Sequence, residues 1–373
     1  MYRFLSVKKL FRTILTFIII LFFIILLTSL RKFTPNSHLL KLDKIPIKRS
    51  RIAIVMVMDE LVEDEYTQAI RTLYCYTVHY RYSFIIINKK NNLKYFQQCV
   101  YRDFMFQRHC IISKFSYDKQ HLYDYIIFID GDVAVINPIQ TIEKYLPKGK
   151  EEIIFYDRIY NKEISAGSYI MRNSKYSRDF LMFFANYDFK IPFTNDGRDN
   201  VALQSVFVDF VMDRRFLKEY DLCRWIWSTS IGFDTNMVVV SCMRWILEKY
   251  NESNDKNDYS SFDNGKLIIL SKTSKRRWIR DTWLCDWKFC DDDFLLHGWK
   301  TSEIEKAVIT FDKEFNPTTT TCLGEKFLSA WSYNDSSVVS CSEIDYSISL
   351  WIEYAIDNDI KDLNTSGILK LET

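Results

Sequence analysis

The feature that most constrains the fold is a short apolar run, Tyr125–Ile129 (YIIFI), which leads directly into Asp130, Gly131 and Asp132. Five consecutive β-branched or aromatic residues predict a strand that is buried on both faces. A strand of this kind belongs in the middle of a sheet that helices cover on both sides. We therefore predict an α/β fold built on a single, mostly parallel sheet.

Two carboxylates follow this strand at the edge where open α/β sheets bind their ligands. Residues i and i+2 of an extended segment point to the same side, so Asp130 and Asp132 can face one cation together. Hard oxygen ligands suit Mn²⁺ or Mg²⁺ that bridges substrate phosphates. Gly131 leaves room for a diphosphate to approach the backbone. The pattern predicts a metal–diphosphate site, and the alternative is an Asp-Gly turn that merely ends the strand.

Two other acidic stretches, residues 291–293 (DDD) and 357–359 (DND), do not follow an apolar strand. We predict that both are solvated acidic turns.

The N-terminal region contains an uncharged run at residues 13–30 (TILTFIIILFFIILLTSL), between Arg12 and Arg31. About 18 helical residues just cross a bilayer core of roughly 27–30 Å. A cleaved signal peptide would have a shorter apolar run and a small-residue cleavage site, so an uncleaved anchor is favoured. Basic residues before the run indicate a cytosolic N-terminus. We predict a single-pass type II protein of the Golgi or ER membrane, with a cytosolic tail (1–12), a stem (31–50) and a lumenal domain.

The cysteines and glycosylation motifs fit a lumenal domain. All nine cysteines follow residue 30, and in an oxidising compartment most should pair, leaving one free or intermolecular. A homodimer, disulfide-linked or non-covalent, is therefore left open. Asn251, Asn334 and Asn364 begin Asn-x-Ser/Thr motifs. The net charge of +2 and the scattered basic residues give no reason to expect nucleic-acid binding.

The lumenal chain alternates predicted strands and helices, as βαβ units do. The run from Ile52 to Met58 predicts the first strand, and Cys110 to Phe115 predicts a short one. We predict one domain over residues 51–300, followed by a C-terminal appendage (301–373) whose packing the pattern does not indicate.

Further residues can complete a site. His297 follows an apolar run and could be a metal ligand or a structural histidine. Lys300 could neutralise a departing phosphate as a point charge. Gly167 and Ser168 offer a close backbone approach with a hydroxyl, and the alternative is a tight turn or bulge.

A predicted helix start contributes another group. Asp199, Asn200 and Gln204 lie about one helical turn apart and could contact a ligand. The alternative is helix capping plus a surface amide.

Four phrases in order, IIFIDGDVAVINP, AGSYIMRN, RDNVALQ and FLLHGWK, carry a resemblance. The chain resembles nucleotide-sugar-dependent glycosyltransferases of the GT-A fold and is most similar to the galactosyl/mannosyl transferases of family 34. FYDR, AGSYIMRN, YSRDFLMFFANY and HGWK are more similar still to an uncharacterised nematode family of membrane-anchored proteins, domain of unknown function 273. The likeness spans roughly residues 51–300.

This resemblance implies a hexose transfer, with retention of configuration, from a UDP- or GDP-sugar to a hydroxyl of a glycan or glycoprotein. It implies that Asp130, Asp132 and His297 hold Mn²⁺ (or Mg²⁺), and that Asp199 and Asn200 border the transferred sugar and the acceptor. It also implies that Lys300 contacts the diphosphate. From the residues themselves we further predict contacts with the nucleotide sugar at Gly131, Gly167, Ser168, Gln204 and Gly298.

The chain departs from the family 34 pattern at Ala166, where that pattern has Asn-Thr, and at Asn200, where an acidic residue or Gln is expected. These departures motivate an alternative, a catalytically inactive relative that binds glycans or nucleotide sugars. A membrane-anchored structural protein is a third hypothesis.

Overall fold

The computed structural model describes residues 48–58, 64–192, 198–213, 215–255, 258–304, 317–324, 326–331 and 335–371. The predicted transmembrane segment (13–30), the cytosolic tail, most of the stem and Asn334 lie outside these residues. Within the described ranges, no helix is both long enough and apolar enough to span a bilayer.

Seven strands form the main sheet, in the order β2-β1-β3-β6-β5-β8-β7. The strands of this sheet are β1 (Ile52–Val57), β2 (Ser83–Ile87), β3 (Tyr125–Ile129), β5 (Ile153–Tyr156), β6 (Ser168–Arg172), β7 (Tyr259–Phe262) and β8 (Leu267–Leu270). A second sheet has the order β4-β10-β9, with β4 (Val133–Val135), β9 (Ile279–Asp281) and β10 (Leu295–His297). The predicted strand β3 is confirmed, and it lies third in the main sheet.

The prediction of a mostly parallel sheet is wrong, because the sheet is mixed. β1 pairs in parallel with β2 and β3, and β5 with β8, whereas β6 runs antiparallel to both β3 and β5, and β7 antiparallel to β8. The strand sequences are apolar in either direction, so their composition does not reveal that β6 is reversed.

The main sheet is buried on both faces, as its central strands predict. Successive residues of β1 point to opposite faces of the sheet. Ala53 and Val55 belong to one apolar cluster, and Ile54 and Met56 belong to the other. The central strands therefore hold the end of β3 in a rigid frame.

Helices cover the main sheet and extend beyond it. They are α1 (Thr67–Tyr80), α2 (Lys89–Gln98), α3 (Phe104–Asp118), α4 (Lys175–Ala185), α5 (Arg198–Val211), α6 (Leu217–Thr229), α7 (Phe233–Glu248), α8 (Thr301–Ile304), α9 (Lys326–Ser329) and α10 (Cys341–Ser366). The predicted strand from Cys110 to Phe115 is wrong, since these residues lie inside α3. Asp103 caps that helix by accepting from Met105 N at 2.8 Å. Most of this run is buried, so its apolar residues give no helical periodicity.

The C-terminal segment packs on the α/β core. Trp351 of α10 donates from Nε1 to the Leu284 carbonyl at 3.0 Å. The prediction of a solvated acidic turn is confirmed for Asp291 and Asp292, which are exposed in a turn, whereas the adjacent Asp293 forms an ion pair of 2.6 Å with Arg280. The same prediction is wrong for residues 357–359, which lie within α10.

The prediction that most cysteines pair is confirmed. The disulfides are Cys75–Cys322, Cys99–Cys110, Cys223–Cys242 and Cys290–Cys341. Cys285 is a buried free thiol, so it does not offer an exposed sulfur for a disulfide-linked dimer. Two of these bonds connect the C-terminal segment to the core.

Two glycosylation motifs lie in the described ranges. Asn251 accepts from Ser253 N and Ser261 N through its side-chain oxygen, and Asn364 is exposed on α10. Asn364 is thus the more accessible of these two acceptors.

Candidate metal and nucleotide-sugar site

The end of β3 meets the start of β6, and this register places Asp130 against Gly167. Ile129 pairs with Ser168 in the antiparallel ladder, so the residues just beyond this pair, Asp130 and Gly167, are adjacent. A Cβ atom on Gly167 would lie 2.5 Å from Asp130 Oδ2. The glycine therefore gives the Asp130 carboxylate the space that it occupies.

The second sheet brings His297 to the same place. In β10, His297 pairs with Val133 of β4 and with Asp281 of β9. The carbonyl of Asp132, just before β4, accepts from Gly298 N at 3.0 Å and from Trp299 N at 2.7 Å. Strand pairing and two backbone hydrogen bonds thus bring His297 close to Asp130, although the two residues are 167 positions apart in the chain.

Asp130, Asp132 and His297 together form a donor set that fits a divalent cation. His297 Nε2 lies 3.3 Å from Asp132 Oδ1 and 3.9 Å from Asp130 Oδ2. One donor atom from each residue lies within 4.8 Å of the others. Ligands that each lie about 2.0–2.6 Å from one ion are about 3–5 Å from one another. Two carboxylates and an imidazole are also the donor types that suit Mn²⁺.

Asp281 orients His297 from behind the site. His297 Nδ1 lies 2.6 Å from Asp281 Oδ1, so the other ring nitrogen, Nε2, faces the two aspartates. Histidines that bind metals commonly donate their second nitrogen to a carboxylate in this way. Burial would lower the pKa of His297, but Asp132 and Asp281 raise it well above its ordinary value. This end of the site therefore favours a positive charge, supplied by a proton or by a cation.

Arg108 of α3 is a buried cation beside the site. Its Nη1 is hydrogen-bonded to Asp130 Oδ1, and its Nη2 lies 2.8 Å from Asp199 Oδ2. Burial raises the pKa of Asp130 even though Arg108 opposes this. Burial also acts to raise the pKa of Asp132, but His297 and, to a lesser extent, Lys300 act against it, so this pKa is lowered. The two aspartates thus differ in environment although they are two residues apart.

Asp199 and His109 form a buried extension of this network. Asp199 lies near the N-terminus of α5, where its carboxylate contacts Arg108 and also His109 Nε2, at 3.3 Å. Burial acts to raise the pKa of Asp199, but Arg108 and His109 lower it to about 2. Burial lowers the pKa of His109 to about 4, so the ring is neutral at physiological pH. Asp199 is therefore an ionised support of Arg108, and the predicted contact with a transferred sugar is not available in this structure.

The two amide residues of α5 hold the segment that precedes β6. Asn200 Oδ1 accepts from Ala166 N at 2.9 Å, and Gln204 Oε1 accepts from Ile164 N at 3.1 Å. Gln204 Nε2 also donates to the Asn200 carbonyl, and the side chain is fully buried. Gln204 thus braces the loop that carries Gly167 and does not face a ligand, whereas Asn200 is half-buried.

The Ser168 hydroxyl is buried and hydrogen-bonded within the protein. It donates to the Phe128 carbonyl at 2.8 Å and accepts from Trp278 Nε1 at 2.9 Å, and the side chain is fully buried. Of Gly167 and Ser168, only Gly167 contacts a carboxylate of the site. The predicted ligand contact of the Ser168 hydroxyl stays a prediction, and this hydroxyl is buried and already hydrogen-bonded in the structure.

Tyr66 covers Gly131, a contact that the sequence did not reveal. A Cβ on Gly131 would lie 2.5 Å from Tyr66 Cδ2. The close approach to the Gly131 backbone is therefore made by this aromatic ring. Burial and the two aspartates, Asp132 and Asp130, raise the pKa of Tyr66 to about 12, so the phenol stays protonated at neutral pH.

Lys300 lies at the outer edge of the site. Its Nζ is 3.7 Å from Asp132 Oδ2, and its side chain is partly exposed. Gly298, which adopts φ of 98°, lets the chain turn after His297, and a Cβ there would lie 2.9 Å from Thr282 Oγ1. The turn places the Lys300 side chain beside Asp132.

The structure thus brings together Asp130, Asp132, His297, Lys300, Gly131, Gly167 and Gly298, and it buries Asp199, Gln204 and Ser168 behind them. Arg108, Asp281 and Tyr66 are the residues that sequence reasoning missed. An arginine inside an apolar helix is a signal for Arg108. No local pattern marks Asp281, because β9 has only three residues.

Comparison with known structures gives weak likenesses to glycosyltransferases. A glycosyltransferase involved in the glycosylation of the major capsid of PBCV-1 is 12% identical, with a TM-score of 0.32 over 41% of this chain and 74% of that chain. Apo GlyE of Streptococcus pneumoniae TIGR4 is 14% identical, with a TM-score of 0.33 over 54% and 63%. A Drosophila beta-1,4-galactosyltransferase 7 mutant in complex with manganese, UDP-Gal and xylobiose is 13% identical, with a TM-score of 0.27 over 59% and 93%. At these TM-scores, the site's own geometry carries the functional argument.

Sequence comparison is more specific. No curated protein matches the chain. A family model described as "Protein of unknown function, DUF273" matches residues 73–311, which is well over half of the chain and includes Asp130, Asp132 and His297. The chain therefore belongs to the DUF273 family, as its sequence phrases indicated.

Proposed function

We propose that this protein is a metal-dependent glycosyltransferase that transfers a hexose from a nucleotide-diphosphate sugar to a hydroxyl of a glycan or glycoprotein. The observation that carries the proposal is the convergence of Asp130, Asp132 and His297 at the end of β3, with donor atoms within 4.8 Å of one another. Lys300 stands beside them. This is an arrangement for binding a cation together with phosphates.

The residues of the chain have distinct roles in this proposal. A divalent cation at the three ligands, Mn²⁺ or Mg²⁺, would offset the charge that grows on the nucleoside-diphosphate leaving group. Lys300 adds a point charge to the same phosphates. Arg108 holds Asp130 in place, and Asp281 holds His297.

The proposed reaction is a group transfer. The acceptor hydroxyl oxygen bonds to the anomeric carbon, the bond from that carbon to the diphosphate breaks, and the hydroxyl proton passes to the departing diphosphate. Retention of configuration is part of the proposal and rests on the family 34 resemblance.

A donor screen tests the function. The full-length protein is incubated with UDP- and GDP-hexoses, Mn²⁺ and candidate acceptors, and nucleotide release and glycosylated product are followed. Turnover with at least one donor that is lost in Asp132→Asn supports the proposal. Turnover that Asp132→Asn leaves unchanged, or no turnover with any donor, contradicts it.

A second candidate function is an inactive relative that binds nucleotide sugars or glycans. The burial of Asp199 against Arg108 and His109 favours it, because the carboxylate expected beside the sugar is engaged elsewhere. It predicts saturable Mn²⁺-dependent UDP binding without product in the same screen.

The proposal includes a location in the Golgi or ER membrane, with a type II anchor at residues 13–30 and a lumenal catalytic domain. Four disulfides support an oxidising compartment. Protease protection in sealed microsomes tests this topology, and digestion of the domain without detergent would contradict it.

A further inference from the structure

A cleft of about 500 Å³ lies between α7 and α10, and Tyr160, Lys162 and Trp283 also line it. It is separate from the three candidate metal ligands, none of which lines it. A volume of this size accommodates a small ligand.

Aromatic rings form much of the cleft wall. Trp283 packs edge-on against Tyr160 and Trp351, with ring centroids 4.9 Å and 5.0 Å apart, and Trp351 packs edge-on against Tyr354. Trp283 is 41% exposed and Tyr354 is 54% exposed. Clustered apolar surface left open to water is typical of a binding site. Flat rings of this kind suit the C–H faces of a hexose.

Polar groups face the same space. Lys162 Nζ lies 3.1 Å from Asp359 Oδ2 and 2.9 Å from Glu248 Oε1. The other carboxylate oxygen, Asp359 Oδ1, is buried and accepts no hydrogen bond from the described residues. Asp359 lines the cleft, and a ligand hydroxyl that reached this oxygen would offset the free energy that an unpaired buried acceptor costs.

The cleft has a net negative charge, which disfavours an anionic ligand. Asp234, Asp359 and Asp362 contribute three negative charges, and Lys162 and Lys361 contribute two positive charges. Glu248 adds a further negative charge beside Lys162. A nucleotide or phosphate would have to approach three carboxylates. A neutral polyhydroxyl compound, whose hydroxyls both donate and accept, meets no such repulsion.

The cleft adjoins the candidate metal site through Asp281. Trp283 follows Asp281 by two residues, which span at most about 7 Å. Arg158 stacks over the Tyr160 ring, 4.8 Å from its centroid, and its Nη2 lies 3.6 Å from Asp281 Oδ1. The aromatic wall thus continues from the carboxylate that orients His297.

We propose that this cleft, bounded by Tyr160, Trp283, Trp351 and Tyr354, binds a neutral saccharide, the glycan of the acceptor substrate. Its assignment to the acceptor rests on the proposed glycosyltransferase function. The binding of a saccharide in the cleft is a separate property, which can be measured without turnover.

The test is saccharide binding by the full-length protein without any donor. Mannobiose, lactose, N,N′-diacetylchitobiose and xylobiose are titrated while saturation-transfer NMR and tryptophan fluorescence are recorded. We expect at least one to bind, and Trp283→Leu to weaken it at least tenfold. Asp359→Asn should weaken it too, while preserving side-chain volume. Trp225→Leu is the matched control, since Trp225 is 64% exposed on α6 and does not line the cleft; it should bind as the unmodified protein does.

The outcomes separate this inference from the proposed function. The inference is overturned if none of the four saccharides binds. It is also overturned if the Trp283→Leu variant retains its unfolding temperature and binds the saccharide as the unmodified protein does. Binding of tetramethylammonium alone overturns it in favour of a cation site. Mn²⁺-dependent UDP binding, measured separately, reports on the metal site. If the unmodified protein binds a saccharide but does not bind UDP with Mn²⁺, the proposed function is contradicted and the cleft remains a saccharide site.

Discussion

The substitution Asp281→Asn tests whether His297 is held for metal binding. The Asn side chain preserves the shape of Asp281 but removes the negative charge that lies 2.6 Å from His297 Nδ1. Loss of such a partner typically lowers metal affinity 10–100-fold. At about 1.4 kcal/mol per tenfold, this corresponds to roughly 1.4–2.8 kcal/mol. We expect the Kd of Mn²⁺, measured by calorimetry in the presence of UDP, to rise by that factor.

Asp281→Asn also costs stability, because Asp281 lies 3.6 Å from the buried Arg158. The matched control is Asp293→Asn. Asp293 is a similarly buried aspartate. It pairs at 2.6 Å with Arg280, the neighbour of Asp281 in β9, but it does not contact His297. This control should lower the unfolding temperature and leave the Mn²⁺ affinity unchanged. Equal Mn²⁺ affinities of Asp281→Asn and the unmodified protein would refute the role of Asp281, and equal losses in both variants would show a general effect of stability.

Three further predictions concern the site's surroundings and stability. Gly167→Ala should weaken Mn²⁺ binding by calorimetry, since its Cβ would lie 2.5 Å from Asp130 Oδ2; an unchanged affinity would contradict that contact. The pKa of His109 is lowered to about 4 in the native protein, so between pH 6.5 and 4 the unfolded chain binds a proton at this residue that the native ring does not bind. The free energy of unfolding should therefore fall on acidification over this range by on the order of 3 kcal/mol. His109→Gln should flatten this part of the stability–pH curve in chemical denaturation, and an unaltered slope would contradict the assignment. Removal of the Cys75–Cys322 disulfide by Cys75→Ser should cost about 5 kcal/mol in the chain-entropy estimate, because it closes a loop of 247 residues; a loss below about 1 kcal/mol in denaturant titration would contradict it.

Features that depend on neighbouring residues were predictable from the sequence. The strand Tyr125–Ile129 and the two carboxylates after it were predicted because a run of consecutive apolar residues indicates a buried strand. His297 was a candidate because it also follows an apolar run and because the family 34 resemblance implies it as a metal ligand. Its convergence with Asp130 and Asp132 then required the pairing of β4 with β10.

Features that depend on long-range pairing were not predictable. The reversal of β6 comes from its pairing with β3 and β5, which apolar composition does not specify. Asp281 gains its role because β9 lies beside β10 in a register that opposes Asp281 to His297. Arg108 meets Asp130 and Asp199 only once α3 and α5 have packed near the end of β3. For the same reason, the sequence predicted that Asp199 lies at a helix start but did not predict that it is buried.

The most direct test of the metal site is Mn²⁺ binding to the full-length protein, measured by electron paramagnetic resonance and calorimetry with and without UDP. We predict that one Mn²⁺ binds tightly per chain and that UDP strengthens this binding. Binding should be lost when Asp130→Asn and Asp132→Asn are combined in a protein that retains its unfolding temperature. Mn²⁺ binding that survives this double substitution, or an unmodified protein that binds no Mn²⁺ with UDP present, would contradict the claim that these carboxylates and His297 hold a cation.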